Sequence, residues 1–346
     1  MEPARGFHWR GEGEAVRNSR DAAHNRPFGA VSPWRVADMV GFGVFHPCLT
    51  FDKWRVLHLV DAGYTVTGSV RTYFRALEFH ANAERYMVNE LKARLKAGRV
   101  CVNGWSILPS PFAAELLAQT GWDSITIDMQ HGLHDYASAV SCIQAMQAHP
   151  VTPLVRVPWN EPGILGKVLD AGAWGVICPM VNTPADAIAL TRACLYPPLG
   201  RRSNGPVRAA AYGGVTPYQQ IANDEVLILP QIETREAVDN LEAILDVPGV
   251  SGVYVGPGDL GFSMGLPPIL DREEPEILSI YEAIVRETSK RGLIAGVHNT
   301  TPTYAARMAA MGFRLVTVGS DSGFLGRAAR DAVTATRKGV GELAER

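Results

Sequence analysis

The sequence is short of several things, and each shortage removes a class of protein. Cysteine is scarce: five residues in 346, Cys48, Cys101, Cys142, Cys178 and Cys194. They are odd in number, scattered, and never in the C-x-x-C spacing of zinc or redox sites, so they read as buried, reduced thiols. Basic surplus is absent, with 33 Lys and Arg against 35 Asp and Glu and a formal net charge of -2. Without that surplus, or a basic block, nucleic acid is not an expected partner. No apolar run approaches the roughly 18 residues that would span a bilayer, so no membrane association is expected. The start, MEPARGFHWRGEGEAVRNSRD, lacks the apolar core of a secretory signal, and its acids, Glu2, Glu12, Glu14 and Asp21, oppose a transit peptide. The expected location is cytoplasmic.

What is present falls into two unequal parts. Residues 1–86 are poorly patterned; the one structured-looking stretch, VLHLVDAGYTVTGSVR (56–71), reads as a short helix, a stop at Gly63 and a strand. No G-x-G-x-x-G precedes it, so no dinucleotide cradle is expected. From Met87 the texture becomes strand, polar turn, amphipathic helix, repeated. Candidate strands are VCVNGWSI (100–107), SITIDMQH (124–131), TPLVRVPW (152–159), WGVICPMV (174–181), VLILPQIE (226–233), SGVYVGPGD (251–259), LIAGVHNT (293–300) and FRLVTVGSD (313–321). Each precedes a helical pattern, and that rhythm, with 47% hydrophobic residues, predicts an α/β fold of the (β/α)8 TIM-barrel type over 87–346. Ser110-Pro111, Thr183-Pro184 and Thr301-Pro302 predict capped helix starts, and Gly121, Gly172, Gly292 and Gly312 predict helix ends.

In such barrels reactive groups sit at the C-terminal ends of strands, and those ends are polar here. They carry Asp128-Met129-Gln130-His131, Arg156, Gln231-Ile232-Glu233 and Gly256-Pro257-Gly258-Asp259. Glu233 and Asp259 are two carboxylates at neighbouring ends with no lysine beside them, a set that can hold a hard divalent cation; each taken alone could equally cap a helix. His131, on a loop before Gly132, can titrate near neutrality or be purely structural. Arg156, in the apolar run LVRVP, needs an anionic partner, either Asp128 or a substrate carboxylate. The amide at Gly258 is unobstructed and suits an anion, although a Gly-Pro-Gly turn often only turns. His298 and Asn299 are not separable from helix-capping groups and stay outside the catalytic set. The lysines from Met87 onward, Lys92, Lys96, Lys167, Lys290 and Lys338, miss every strand end, so a Schiff base is not available.

The segments MVNELKARLKAG, GWSILPSPFAAELLA, IDMQHG, VRVPWNEPGILGKVLDAGA, YPPLGRR, PQIETREAVDNLEAIL and VGPGDLGFSMG occur in order from Met87 to Lys338. Together they resemble the HpcH/HpaI class II aldolases, which cleave 4-hydroxy-2-oxo acids to pyruvate and an aldehyde. The resemblance implies Glu233 and Asp259 as ligands of Mg²⁺, Mn²⁺ or Co²⁺, His131 as general base, and Asp128 and Asp170 as carboxylates that orient or polarise it. It implies Arg156 on the 2-oxo group, the amides around Gly258 on the pyruvate carboxylate with Gln231 beside them, and a hexamer that exchanges its last helix. One departure is Gln130, where many relatives carry glutamate. The resemblance also makes residues 1–86 either a disordered extension or the product of a start set too far upstream. Two other readings keep the fold: a CoA-ester lyase of malyl or citryl type, for which only Arg201, Arg202 and Arg208 offer a basic groove, and a non-catalytic organic-acid-binding barrel.

Overall fold

The computed structural model describes residues 56–60, 66–71, 88–211 and 217–344. The chain divides into two units, Met1–Glu84 and Arg85–Arg346. In the first, β1 (Val56–Val60) pairs antiparallel with β2 (Val66–Arg71), which corrects the helix expected at position 56. Five residues rich in valine and leucine are too few to repay helix nucleation, whereas a strand gains partners at once. The other expectations for residues 1–86, and the one for Cys48, fall outside the described residues.

The second unit is a closed barrel of eight parallel strands. They are β3 (Cys101–Ser106), β4 (Ser124–Asp128), β5 (Thr152–Arg156), β6 (Gly175–Cys178), β7 (Leu227–Ile232), β8 (Gly252–Val255), β9 (Ile294–Asn299) and β10 (Leu315–Val318), and β10 closes the ring by pairing with β3. Each lies within the stretch predicted for it. The polar tails of those stretches are loops and helix starts, because a strand stops pairing where its residues turn toward the mouth.

Helix boundaries follow the local chemistry. Ser110, Thr183 and Thr301 each accept a backbone N–H from the first turn with proline at the helix start, and Thr183 forms a full capping box with Asp186. Gly121, Gly172, Gly292 and Gly312 all take positive φ where helices end. Three details differ from expectation. The pattern REAVDNLEAILD is two short helices, Arg235–Asp239 and Leu241–Leu245, parted at Asn240, whose side-chain amide donates to the Asn182 carbonyl (2.9 Å). A helix unmarked in the pattern, Tyr218–Glu225, precedes β7. The Gly256-Pro257-Gly258-Asp259 run opens a helix, Pro257–Ser263, with proline at its first position.

Two apolar layers flank the strands. Outward residues such as Ile125, Val155, Val176, Ile228, Val253 and Val316 pack under the helices. Inside, Cys101, Leu154, Ile177, Leu227, Leu229, Ile294 and Leu315 form a second cluster with Leu91 and Leu95 of the helix Glu90–Lys96, which plugs the barrel at its N-terminal end. Above this floor the interior becomes hydroxylic, with Asn103, Ser124, Thr126 and Thr317 fully buried and mutually bonded. Above that it becomes charged. Cys101, Cys142, Cys178 and Cys194 are buried free thiols. No helix among the described residues is long and apolar enough to cross a membrane.

The capping box sets an expected outcome. Thr183→Ala removes the hydroxyl that accepts the Asp186 N–H and leaves the reciprocal bond from the backbone N–H of residue 183 to the Asp186 carboxylate, and urea unfolding should show a loss of about 1 kcal/mol, with no change in the slope against denaturant.

Candidate active site

The charged layer starts from a pairing in the sheet. Asp128 and Arg156 lie directly opposite each other at the ends of β4 and β5, and both side chains turn into the barrel mouth. Arg156 donates from Nε to Asp128 Oδ1 (2.8 Å) and from Nη2 to Oδ2 (2.6 Å), the bidentate geometry that a guanidinium favours. Asp128 also accepts the backbone N–H groups of Gln130 (3.1 Å) and His131 (3.3 Å) and the Trp105 indole N–H (3.2 Å). Burial pushes its carboxyl up, but the Arg156 bonds and charge, with the two amides, outweigh that and hold it below the usual range. Arg156 in turn lies 4.9 Å from the centre of the Trp105 ring.

A cavity of about 510 Å³ opens over this pair. Of the predicted residues, Asp128, His131, Arg156, Gln231, Gly258 and Asp259 all line it. Glu233 is 1% exposed and lies against Gly256, where a Cβ would stand 2.6 Å from its Oε2 and 2.5 Å from Gln231 Nε2. Glycine at 256 is therefore a steric requirement of the carboxylate beneath it. Glu233 accepts the Met180 N–H (2.7 Å) at Oε1 and the Gln231 side-chain amide at Oε2. Burial raises its carboxyl to about 7; the Met180 N–H opposes this and the Asp259 charge adds to it. Gln231 Oε1, beside it, is buried with no partner.

Two expected contacts are not made within one copy of the chain. Asp128 reaches His131 only through the backbone amide, so it fixes the loop and leaves the imidazole to the cavity. Asp170 is not at the mouth of its own barrel. It ends the helix Pro162–Asp170, which runs back down the barrel wall by roughly 13 Å at 1.5 Å per residue, and there it pairs with Arg202 (2.6 Å). That same pair removes Arg202 from any basic groove, since its side chain is 1% exposed and faces Tyr196 and Tyr218. Arg208 is likewise spent, on the Ala171 carbonyl and on Gln147.

The cavity also contains residues the sequence reading left aside or missed. Trp105, Tyr254 and His298 form its floor, and Ser320, Gly323, Arg327 and Arg330 its far wall. The last three are spaced i, i+4 and i+7 on the helix Asp321–Ala344, a periodicity that marks one face. Asp321 anchors that helix to the end of β3 by accepting the N–H groups of Ile107 (2.9 Å) and Leu108 (3.1 Å).

With this geometry in view, residues 104–328 match the profile of the family described as HpcH/HpaI aldolase/citrate lyase. The chain is 37% identical over 250 residues to a hydroxypyruvate/pyruvate aldolase of Rhizorhabdus wittichii, covering 72% of this chain and 99% of that one. It is 38% identical over 245 residues to a 4-hydroxy-2-oxo-heptane-1,7-dioate aldolase of Escherichia coli, covering 70% and 93%. Among solved structures, an HpcH/HpaI aldolase/citrate lyase family protein of Burkholderia cenocepacia J2315 superposes with a TM-score of 0.68 at 35% identity, covering 72% of this chain and 100% of that one.

Glu233 makes stability depend on pH in a definite direction. Its folded value of about 7 exceeds the ordinary 4.5, so the folded state holds a proton that the unfolded chain has released. Stability is therefore greatest below this window and falls as pH rises through it. In chelator, the wild-type protein should lose on the order of 1–3 kcal/mol between about pH 5 and about pH 8. Glu233→Gln should flatten that fall, because an amide has no proton to lose, and Gln231 can turn its unpartnered Oε1 toward the new amide.

Proposed function

The chain belongs to the HpcH/HpaI aldolase/citrate lyase family, and on that premise we propose that it is a class II aldolase, interconverting 4-hydroxy-2-oxo acids with pyruvate and an aldehyde. The observation that carries this reading is a cavity lined by the Arg156–Asp128 pair and Asp259, with the buried carboxylate of Glu233 directly beneath its Gly256 wall.

The donor set suits a divalent cation. Glu233 is a buried carboxylate pushed up by burial and by a second carboxylate, with an unpartnered Gln231 oxygen next to it. A hard cation compensates such a site, and Mg²⁺ in particular is commonly held by one or two carboxylates with water and substrate oxygens completing its shell. Held by Glu233 and Asp259, Mg²⁺, Mn²⁺ or Co²⁺ would polarise the carbonyl of the bound acid.

The protein groups supply the rest. Arg156 engages Asp128 through Nε and Nη2, leaving Nη1 for the 2-oxo oxygen, where a preorganised positive charge stabilises the developing anion. The Gly258 N–H, at the start of the helix Pro257–Ser263, faces the acid's carboxylate, with Gln231 alongside. His131, exposed on the loop after β4, removes the C4 hydroxyl proton as the C3–C4 bond breaks. Asp170 has no part in this step within one copy of the chain. Self-association belongs to the same reading, up to a hexamer: the helix Asp321–Ala344 leaves Leu325, Val333 and Val340 exposed, a face that a second copy would cover.

Exchange of pyruvate methyl protons in deuterated water tests the proposal, because an organic-acid-binding barrel without turnover does not exchange them. Exchange should stop in excess chelator and return with Mn²⁺ or Mg²⁺; full exchange in chelator would overturn the metal assignment. Arg156→Lys should lower the rate by about a hundredfold, since lysine cannot keep the bidentate hold on Asp128 while also meeting substrate.

A further inference from the structure

A line of hydrogen bonds inside the barrel ends on His298 and holds its ring. Asn103 Oδ1 accepts from Ser124 Oγ (2.8 Å) and Thr126 Oγ1 (3.1 Å), which directs its Nδ2–H at Thr317 Oγ1 (2.8 Å). Thr317 and the Tyr254 hydroxyl share the next bond (2.6 Å), in which either can be the donor, and Tyr254 shares the last with His298 Nδ1 (3.1 Å). When Thr317 donates onward, Tyr254 donates to Nδ1 and the neutral ring carries its proton on Nε2.

The ring lines the cavity, and among the described residues no protein group meets Nε2. Its orientation is held from two further directions. It stands edge-on to Trp105 at 4.5 Å between ring centres, and Gly296 makes room for Tyr254, whose ring would lie 2.8 Å from a Cβ there. The charged groups facing it are Arg156 and Asp128. Burial lowers the imidazole to about 3, the Arg156 charge pulls the same way, and Asp128 opposes without prevailing. The ring is therefore neutral, with one nitrogen engaged by Tyr254 and the other left to the cavity.

We infer that His298 is a substrate-binding donor whose Nε2–H hydrogen-bonds the carbonyl oxygen of the aldehyde partner, or the hydroxyl formed from it. The inference rests on the aldolase reading and adds to it the recognition of the second substrate. The division of the cavity supports it. Gly258, Glu233 and Asp259 near the ends of β7 and β8, with Arg156 on β5, take the acid, and β9 and β10 with Ser320 and Gly323 form the wall left for the aldehyde. A donor that cannot lose or gain a proton holds and polarises an oxygen without competing with His131 for proton transfer.

The tautomer can be read in the wild-type protein with no variant at risk of misfolding. In histidine-labelled full-length protein, long-range nitrogen–proton correlation should show one ring, identified by its loss in His298→Gln, with a protonated Nε2 and a bare Nδ1, unchanged from about pH 5 to about pH 9. A ring protonated on Nδ1, or one that titrates in this range, overturns the inference. In kinetics, His298→Leu should lower kcat/KM for aldol addition by roughly tenfold, through the KM of the aldehyde, while pyruvate methyl exchange is unchanged. His298→Gln, whose amide can stand in for Nε2–H, should recover part of the loss. Addition unaffected in His298→Leu, or exchange and addition reduced equally, overturns the inference and leaves the aldolase reading standing. Absence of exchange in the wild-type protein overturns the aldolase reading, and this inference with it.

Discussion

The mouth of this barrel depends on one ion pair. Asp128 and Arg156 are neighbours by strand register, so the geometry of β4 against β5 puts their charges in contact before any loop is considered. A buried pair of this kind is a stability liability unless its remaining valences are met, and here they are met almost entirely by groups with functional positions. Asp128 takes five donors: two from Arg156, the amides of Gln130 and His131, and the Trp105 indole. One carboxylate therefore sets the guanidinium, the loop that presents the imidazole, and the aromatic floor. These three respond together to anything that moves β4 relative to β5.

The interior is graded along the barrel axis. Aliphatic side chains and the helix Glu90–Lys96 close the bottom, bonded hydroxyls and an asparagine fill the middle, and charges occupy the top. The middle layer does more than separate the other two. A layer of aliphatics would pack as well, but it could not join Asn103 to His298 by hydrogen bonds. Order in the polar core becomes order at the cavity surface, which is the usual use of a fully satisfied network. Glu233 is the opposite case: a carboxylate held in a site that penalises its charge, the kind of local conflict that marks a functional position more than a stabilising one.

Much of this was legible in the sequence, and the reasons are specific. Capping hydroxyls before prolines and glycines past helix ends act over three or four residues, so Thr183 and Gly312 could be read in place. The polar strand ends located Asp128, His131, Arg156, Gln231 and Asp259 because a parallel barrel brings all C-terminal ends to one face. Asp170 was read by correspondence of sequence alone, and the helix that carries it leads away from that face. Arg327 and Arg330 were hidden because a helix C-terminal to the last strand returns to the mouth only through the Asp321 anchor, a contact 214 residues distant in sequence from Ile107. His298 could not be told from a helix cap without knowing what its Nδ1 touches.

The sequence by itself determined the class of fold, the number of strands and which of their ends carry chemistry, since periodicity and end signals are local and survive without a partner in view. Tertiary structure alone decided which polar groups are spent on each other and which are left for substrate. Asp128 is spent, Arg202 is spent, and His298 keeps one ring nitrogen without a protein partner among the described residues. That difference arises because the competing partners, 28 to 44 residues apart in sequence, meet only when the barrel closes.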